Sequence, residues 1–339
     1  MPFFTNRMNN QKEFDLVAIG DTAVDCFIKL RDAHLTCEIN KETCQICMHF
    51  GDKIPYEEVY ILPGVGNSPN ASIGASRLGL KTALITNLGK DQSGQNSLDV
   101  FTKNGVNTDF IDVQVDKKTN YHYVLWYIND RTILIKHEEY TYTLPSFSTP
   151  SWIYLSSLSE NSLDYHYEII RYLNEHPEIK LSFQPGTFQI KFGSEELIEL
   201  YKRSELFFCN KEEAQGILKT KEEDPKILLL KMHELGPKII VITDAEKGAY
   251  LYTDNECWSI PSFPDQNPPL ERTGAGDATA STFTTAIALG KTTLEALTWS
   301  MINARSVINH VGAQTGLLTR EEIERKATTA PEDYRPTKL

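Results

Sequence analysis

Several absences narrow this sequence first. No apolar run reaches the ~18 residues that a bilayer-spanning helix needs. The opening stretch MPFFTNRMNNQKEF is polar and has no apolar signal-peptide centre, so a cytoplasmic location is expected. Basic residues are outnumbered, 34 Lys and Arg against 46 Asp and Glu, giving a formal charge of −12. That balance argues against duplex nucleic acid or an anionic membrane as partner, since both need clustered cations. A small anionic ligand is still allowed, because backbone dipoles can hold one inside an acidic protein. Six cysteines in 339 residues are sparse for a disulfide scaffold. With no signal peptide, reduced thiols are the expectation. Internal repeats, Ser/Gly-rich linkers and a complete Walker A phosphate loop are also missing.

What is present is α/β patterning. FDLVAIGD (14–21) reads as a buried strand, ASIGASRLGL (71–80) as a helix, KTALITNLGKD as a strand and SGQNSLDVFTKNGV as a helix stopped by Asn104-Gly105. NYHYVLWYINDRTILIKHEEY has two aromatic and β-branched runs about Asn129-Asp130, an antiparallel hairpin set apart from the rest. From Trp152 onward strand and helix patterns alternate, which implies a mostly parallel sheet covered by helices. Its strand-end loops would gather on one edge. The first eleven residues and the tail APEDYRPTKL read as loose ends.

The stretch ERTGAGDATASTFTTAIALG (271–290) raises a chemical question. Gly274 and Gly276 allow a tight turn with exposed N–H groups at a helix start, an anion site. Asp277 in the first turn would repel an anion, yet makes sense if it takes a proton from a group that attacks a phosphate. The alternative is a capping aspartate beside a glycine turn. A dinucleotide fingerprint fails on context, because a Pro-rich loop and not a strand comes before it.

Several stretches in order resemble the ribokinase-like (PfkB) family of carbohydrate and nucleoside kinases: AIGDTAVD, PGVGNSPNASIGASRLG, ITNLGKDQSG, CNKEEA, VITDAEKGAYLY, RTGAGDATAS and NHVGAQTG. The resemblance spans about 14–319. It implies one ribokinase-like α/β kinase domain over 12–330, with a small β-rich lid from insertions at about 27–62 and 119–138. It implies an ATP- and Mg²⁺-dependent transfer of phosphoryl to a hydroxyl of a sugar or sugar derivative. A nucleoside kinase is the nearest alternative, and a catalytically silent small-molecule-binding protein a more distant one.

By the same resemblance, Asp277 would be the base. Gly274, Ala275 and Gly276 would present N–H groups to the transferred phosphoryl. Asp25, Gly66 and Asn70 would hold the acceptor. Asn210 and Glu213 would organise Mg²⁺, Glu213 through water, although the pair also reads as a helix capping box. Thr243, Gly248, Asn303 and Gly312 would line the nucleotide. Two departures matter. Glu271 stands where the family has Asp, which puts an implied monovalent cation in doubt, and Val65 replaces the first glycine of the paired-glycine motif. Family lids often mediate dimerisation, so the resemblance allows a homodimer through the lid. Tyr121, Tyr123, Trp126 and Tyr127 fit either a lid–lid face or hairpin packing. His34, Cys37, Cys44, Cys47 and His49 include a zinc-like Cys-x-x-Cys, but reduced thiols on strands are expected there.

Overall fold

The computed structural model describes residues 13–31, 33–37, 44–128, 130–266 and 268–339. The first half of the chain begins with strands β1 (Leu16–Ile19), β2 (Ala23–Leu30), β3 (His34–Cys37), β4 (Cys44–Cys47) and β5 (Tyr56–Val65). Helix α1 (Asn67–Arg77), β6 (Thr82–Gly89), α2 (Gln92–Lys103), β7 (Ile111–Gln114), β8 (Asn120–Tyr127) and β9 (Asp130–Leu134) follow. Next come β10 (Trp152–Leu155), α3 (Leu163–Glu175), β11 (Lys180–Phe183), α4 (Thr187–Phe192), α5 (Ile198–Arg203) and β12 (Ser204–Asn210). After them lie α6 (Lys211–Ile217), α7 (Pro225–Glu234), β13 (Ile239–Thr243), β14 (Ala249–Thr253) and β15 (Glu256–Ile260). Helices α8 (Ala275–Ala288), α9 (Thr293–Val307) and α10 (Arg320–Thr328) and strand β16 (Thr337–Lys338) close the chain.

Ten strands form the main sheet in the order β16-β15-β14-β13-β12-β11-β10-β1-β6-β7. From β13 to β7 every pair is parallel, and β14, β15 and β16 add antiparallel strands at one end. Alternation along each strand divides the core in two. Leu16 and Ala18 of β1 pack on one face with Phe283, Leu297 and Ile302 of α8 and α9. Val17 and Ile19 pack on the other with Ile169, Leu200 and Leu229 of α3, α5 and α7. A strand buried on both faces reads as a continuous apolar run, as LVAI does.

Helix α8 is buried from Ala278 to Ala286 even though it is rich in threonine. Its hydroxyls turn back on the helix, Thr279 Oγ1 to the Ala275 carbonyl at 2.9 Å and Thr284 Oγ1 to Ala280 at 2.8 Å. These two hydroxyls are thereby satisfied without water.

A second sheet, β5-β2-β8-β9, stands over the C-terminal edge of the main one and forms the lid. Pairs β2–β5 and β8–β9 are antiparallel, and β2–β8 is parallel. The expected hairpin is β8–β9; Asn129 of its turn lies outside the described residues.

Two expectations are corrected here. The tail is not a loose end. Thr337 and Lys338 pair with Ser259 and Trp258, and Tyr334 is buried with its hydroxyl on the Pro261 carbonyl. The stretch 1–11 lies outside the described residues. Nor are all the lid thiols reduced. Cys37 and Cys44 are directly opposed on the β3–β4 ribbon and form a disulfide. A strand alternates its side chains, so Cys47, three residues on, points to the other face and contacts Thr36 Oγ1. The Cys-x-x-Cys thus cannot converge on one ion. Among the described residues no group of three or more His, Cys, Asp or Glu could hold a metal.

Candidate active site

The loops after β1, β10, β11, β12 and β13 meet at one edge of the sheet, where an open α/β sheet places its ligands. Asp277 sits there in the first turn of α8. Three amides converge on it: Asn67 Nδ2 at 2.7 Å, Asn70 Nδ2 at 2.8 Å and Gln184 Nε2 at 3.1 Å. Their orientations are fixed from behind. Gln314 Nε2 donates to Asn70 Oδ1 at 2.9 Å, and the Tyr154 hydroxyl donates to Gln184 Oε1. Burial pushes the Asp277 carboxyl above the ordinary aspartate range. The three amides pull it back in part, and the charge of Asp25 raises it further.

Gly274 caps α8 in the left-handed region, φ 83°, and offers no side chain to the first N–H groups. A Cβ at Gly274 would stand 2.4 Å from that of Ala313, so the turn packs directly on the later loop. Glu271 ties the two segments. It is 2% exposed, with Oε2 accepting from Thr273 N at 2.7 Å and Oε1 from Gly312 N at 2.9 Å.

A cavity of about 710 Å³ opens beside Asp277, walled by Asp25, Val65 and His122 of the lid sheet, by His137, and by Gly66 and Asn70 at the start of α1. Gly66 is needed at its position: φ is 135°, and a Cβ would fall 2.5 Å from the Asp21 carbonyl oxygen. A second cavity, about 170 Å³, lies on the other side of Asp277 and is lined by Asn67, Asn210, Glu213, Thr243, Gly276 and Thr279. Asn210 and Glu213 make the capping box, Glu213 N to Asn210 Oδ1 at 2.8 Å and Asn210 N to Glu213 Oε2 at 2.9 Å. Burial raises the Glu213 carboxyl, the Asn210 N–H lowers it, and the charges of Asp277 and Glu212 raise it again. A third cavity, about 110 Å³, is bounded by Thr243, Gly248, Phe263, Ala275, Met301 and Ile308.

Most of the residues singled out in the sequence therefore gather around Asp277, but two do not. Asn303 is fully buried between helices. Its Nδ2 donates to Thr282 Oγ1 at 2.8 Å, and its Oδ1 accepts from Leu318 N at 2.9 Å. Both ends of the amide are spent on packing, and it is not among the residues that line the third cavity. Gly312 gives its N–H to Glu271 and packs against Leu62 of the lid, away from the third cavity.

A profile of pfkB family carbohydrate kinases matches residues 63–320. The chain belongs to this family. Ribokinase of Bacillus subtilis (strain 168) is 24% identical over 272 residues, 78% of this chain and 87% of the relative. Among solved structures, a nucleoside kinase of Methanocaldococcus jannaschii, an archaeal ribokinase-family member, matches with a TM-score of 0.75 at 17% identity. That match covers 94% of this chain and 99% of the other. Arabidopsis thaliana ribokinase, complexed with ribose and ATP, gives 0.75 at 16% identity, with the same coverages. These structural likenesses establish the fold, and the family match makes the chain a carbohydrate kinase.

Within this pfkB kinase the matched region omits β1 and β2, so Asp21 and Asp25 stand outside it. Residues that the sequence left unnoticed include Gln184, His122, His137 and Tyr142. Gln184 follows β11 in SFQPG, at a strand end where site residues collect, and that position was its available signal. The histidines carried none: the β2–β8 pairing brings His122 over the cavity, and His137 reaches its lining from the segment after β9.

Proposed function

We propose that this kinase transfers the γ-phosphoryl group of ATP, with Mg²⁺, to a hydroxyl of a sugar or sugar derivative, and that Asp277 is the general base. The observation that carries this reading is that Asp277 lines both the large cavity and the small one. A hydroxyl held on one side and a phosphate on the other would meet at its carboxylate. A carboxylate raised by burial is a better proton acceptor than an ordinary one, and such a base contributes about 10²–10⁴-fold.

The small cavity suits a phosphate only in company with a cation. Among its described lining residues are Glu213 and Asp277, and no lysine or arginine. Mg²⁺ held there would supply the positive charge that the phosphate needs. Glu213, reaching it through water, and Asn210 are the residues to hold it. The uncapped N–H groups of Gly274, Ala275 and Gly276 would face the transferred group, a preorganised arrangement of the kind worth about 10²–10³-fold per donor in other enzymes. Thr243 and Gly248 border the third cavity, whose apolar walls of Phe263, Met301 and Ile308 suit a flat base. Asp25, Gly66 and Asn70 would hold the acceptor, and the lid would exclude the water that otherwise hydrolyses ATP. Glu271 spends its carboxylate on two backbone N–H groups, which argues against a monovalent cation at that carboxylate.

A nucleoside acceptor has one observation in its favour: the likeness to the archaeal nucleoside kinase equals that to the ribose-bound ribokinase. The test is ADP release from ATP over a panel of free sugars and nucleosides, with and without Mg²⁺. Acceptor-dependent release that needs Mg²⁺ is expected. Release that ignores the acceptor would refute the transfer.

A further inference from the structure

We infer that His122 is a positioning residue that aims Asp25 at the acceptor, and that this acceptor is an uncharged polyhydroxy compound, not a sugar phosphate. The inference rests on the kinase reading above and extends it to the class of acceptor.

The pair is set by the lid sheet. Asp25 and His122 are register partners on the parallel strands β2 and β8, so their side chains leave the same face. The β2–β5 ladder shifts register between Ala23 and Asp25, a kink that re-aims a side chain. His122 Nδ1 stands 3.2 Å from Asp25 Oδ1, and both side chains are mostly buried. The other ring nitrogen, Nε2, is enclosed and has no hydrogen-bond partner. Asp25 is thus the polar anchor of the ring, and the ring is the polar brace of Asp25. Next to it the His137 ring lies 5.3 Å from that of His122 and edge-on to Phe188 at 5.7 Å.

The wall around this pair is acidic. Asp21, Asp25, Glu138, Glu139, Glu160 and Asp277 line the cavity. Among its described lining residues Lys191 is the one lysine or arginine, and its ammonium lies 4.9 Å over the Phe188 ring. Four of the acids are engaged, Asp21 by the Tyr142 hydroxyl at 2.9 Å, Glu138 by Lys136 at 2.8 Å, Asp25 by His122 and Asp277 by its three amides. Ionised carboxylates only accept hydrogen bonds. Hydroxyl groups can donate to them, whereas a phosphate brings charge of the same sign and no donor. The phosphorylated relatives of an accepted polyol are therefore excluded by repulsion, a use of like charge for specificity.

The experiment measures ADP release with ATP and Mg²⁺ on D-ribose, D-fructose and adenosine, and on ribose 5-phosphate and fructose 6-phosphate. Turnover confined to the neutral compounds is expected. With the neutral compound that is turned over, His122→Ala should raise the acceptor KM about ten-fold or more, as for a lost charged hydrogen bond. Its kcat and its KM for ATP should stay within about three-fold, and His122→Asn, which keeps an amide donor near Nδ1, should recover most of the acceptor KM. An unchanged acceptor KM in His122→Ala, or an equal rise in both KM values, overturns the positioning role. Turnover of a sugar phosphate overturns the acceptor class and leaves the kinase reading standing. No ADP from any acceptor overturns both.

Discussion

At Asp277 two requirements conflict. A base must be able to ionise, but a base shielded from water resists ionisation. The site reconciles them with three amide donors, which favour the carboxylate while burial disfavours it, and burial prevails. Two outcomes follow. Asp277→Asn keeps size and loses the lone pair that takes the proton, so turnover should fall by about 10²–10⁴-fold in steady-state assays while ATP still binds. Survival of turnover with loss of ATP affinity would make Asp277 a cap or a metal ligand. The second outcome concerns stability. A carboxyl whose folded pKa is raised contributes stability that is full below its ordinary value and is lost as pH rises through the folded one. The Tm of wild type minus that of Asp277→Asn should therefore fall as pH goes from about 4 to 7. A difference that grows over that range would mean that the amides, and not burial, dominate. The proposal of Asp277 as base was already suggested by TGAGD; its three amide partners were not legible, because Asn67, Asn70 and Gln184 meet it only through the fold.

At the scale of elements the same side chains hold the structure together and are proposed to take part in the chemistry. Asn210 ends β12 and caps α6, and Glu213 closes the box. Replacing Asn210 by Ala should cost about 0.5–2 kcal/mol in denaturant unfolding, the usual loss of an N-cap. Glu213→Gln keeps the reciprocal bond to the Asn210 N–H but removes the charge. It should leave stability nearly unchanged and raise the Mg²⁺ needed for half-maximal rate several-fold in a metal titration. An unaltered Mg²⁺ requirement would reduce Glu213 to its capping role. Strands and helices were readable because period and capping are local signals, as in LVAI and SGQNSLDVFTKNGV. The tail was misread because a two-residue strand has no period to detect; Thr337 and Lys338 pair only once β15 is in place. Asn303 was placed at the nucleotide by family resemblance, which carries no information on local packing. The helix packing uses both ends of its amide. The Cys37–Cys44 bridge was missed because opposition across a ribbon depends on register, which spacing alone leaves open.

For the whole molecule, the lid sheet has two faces with different duties. Inward, Asp25 and His122 look into the cavity. Outward, the register lines up Ile61, Cys26, Tyr123 and Leu134 in one row across all four strands. Side chains directly opposite one another share a face. The row is apolar, and three of its members remain substantially exposed: Ile61 at 58%, Tyr123 at 47% and Leu134 at 53%. Val59, 41% exposed, extends the patch on β5. The aromatic run YHYVLWY is divided accordingly. Trp126 is buried and donates to the Ile128 carbonyl, while the Tyr121 and Tyr123 rings lie 5.2 Å apart. An exposed apolar face of this kind marks a contact surface, and a second copy of the lid, with the same row, is a complementary partner. We therefore expect a homodimer joined through the lids. Ile61→Lys with Tyr123→Asp places two charges in the row, where the exposed starting positions leave the fold little affected. Sedimentation equilibrium should show two chains for wild type and one for the double variant, with far-UV circular dichroism unchanged. A monomeric wild type at tens of micromolar, or a double variant that still dimerises, would assign the outer face another role. If lid docking also orders the acceptor site, the monomeric variant should show a raised acceptor KM with its ATP KM unchanged, because Asp25 and His122 lie on the opposite face of the strands that carry Cys26 and Tyr123.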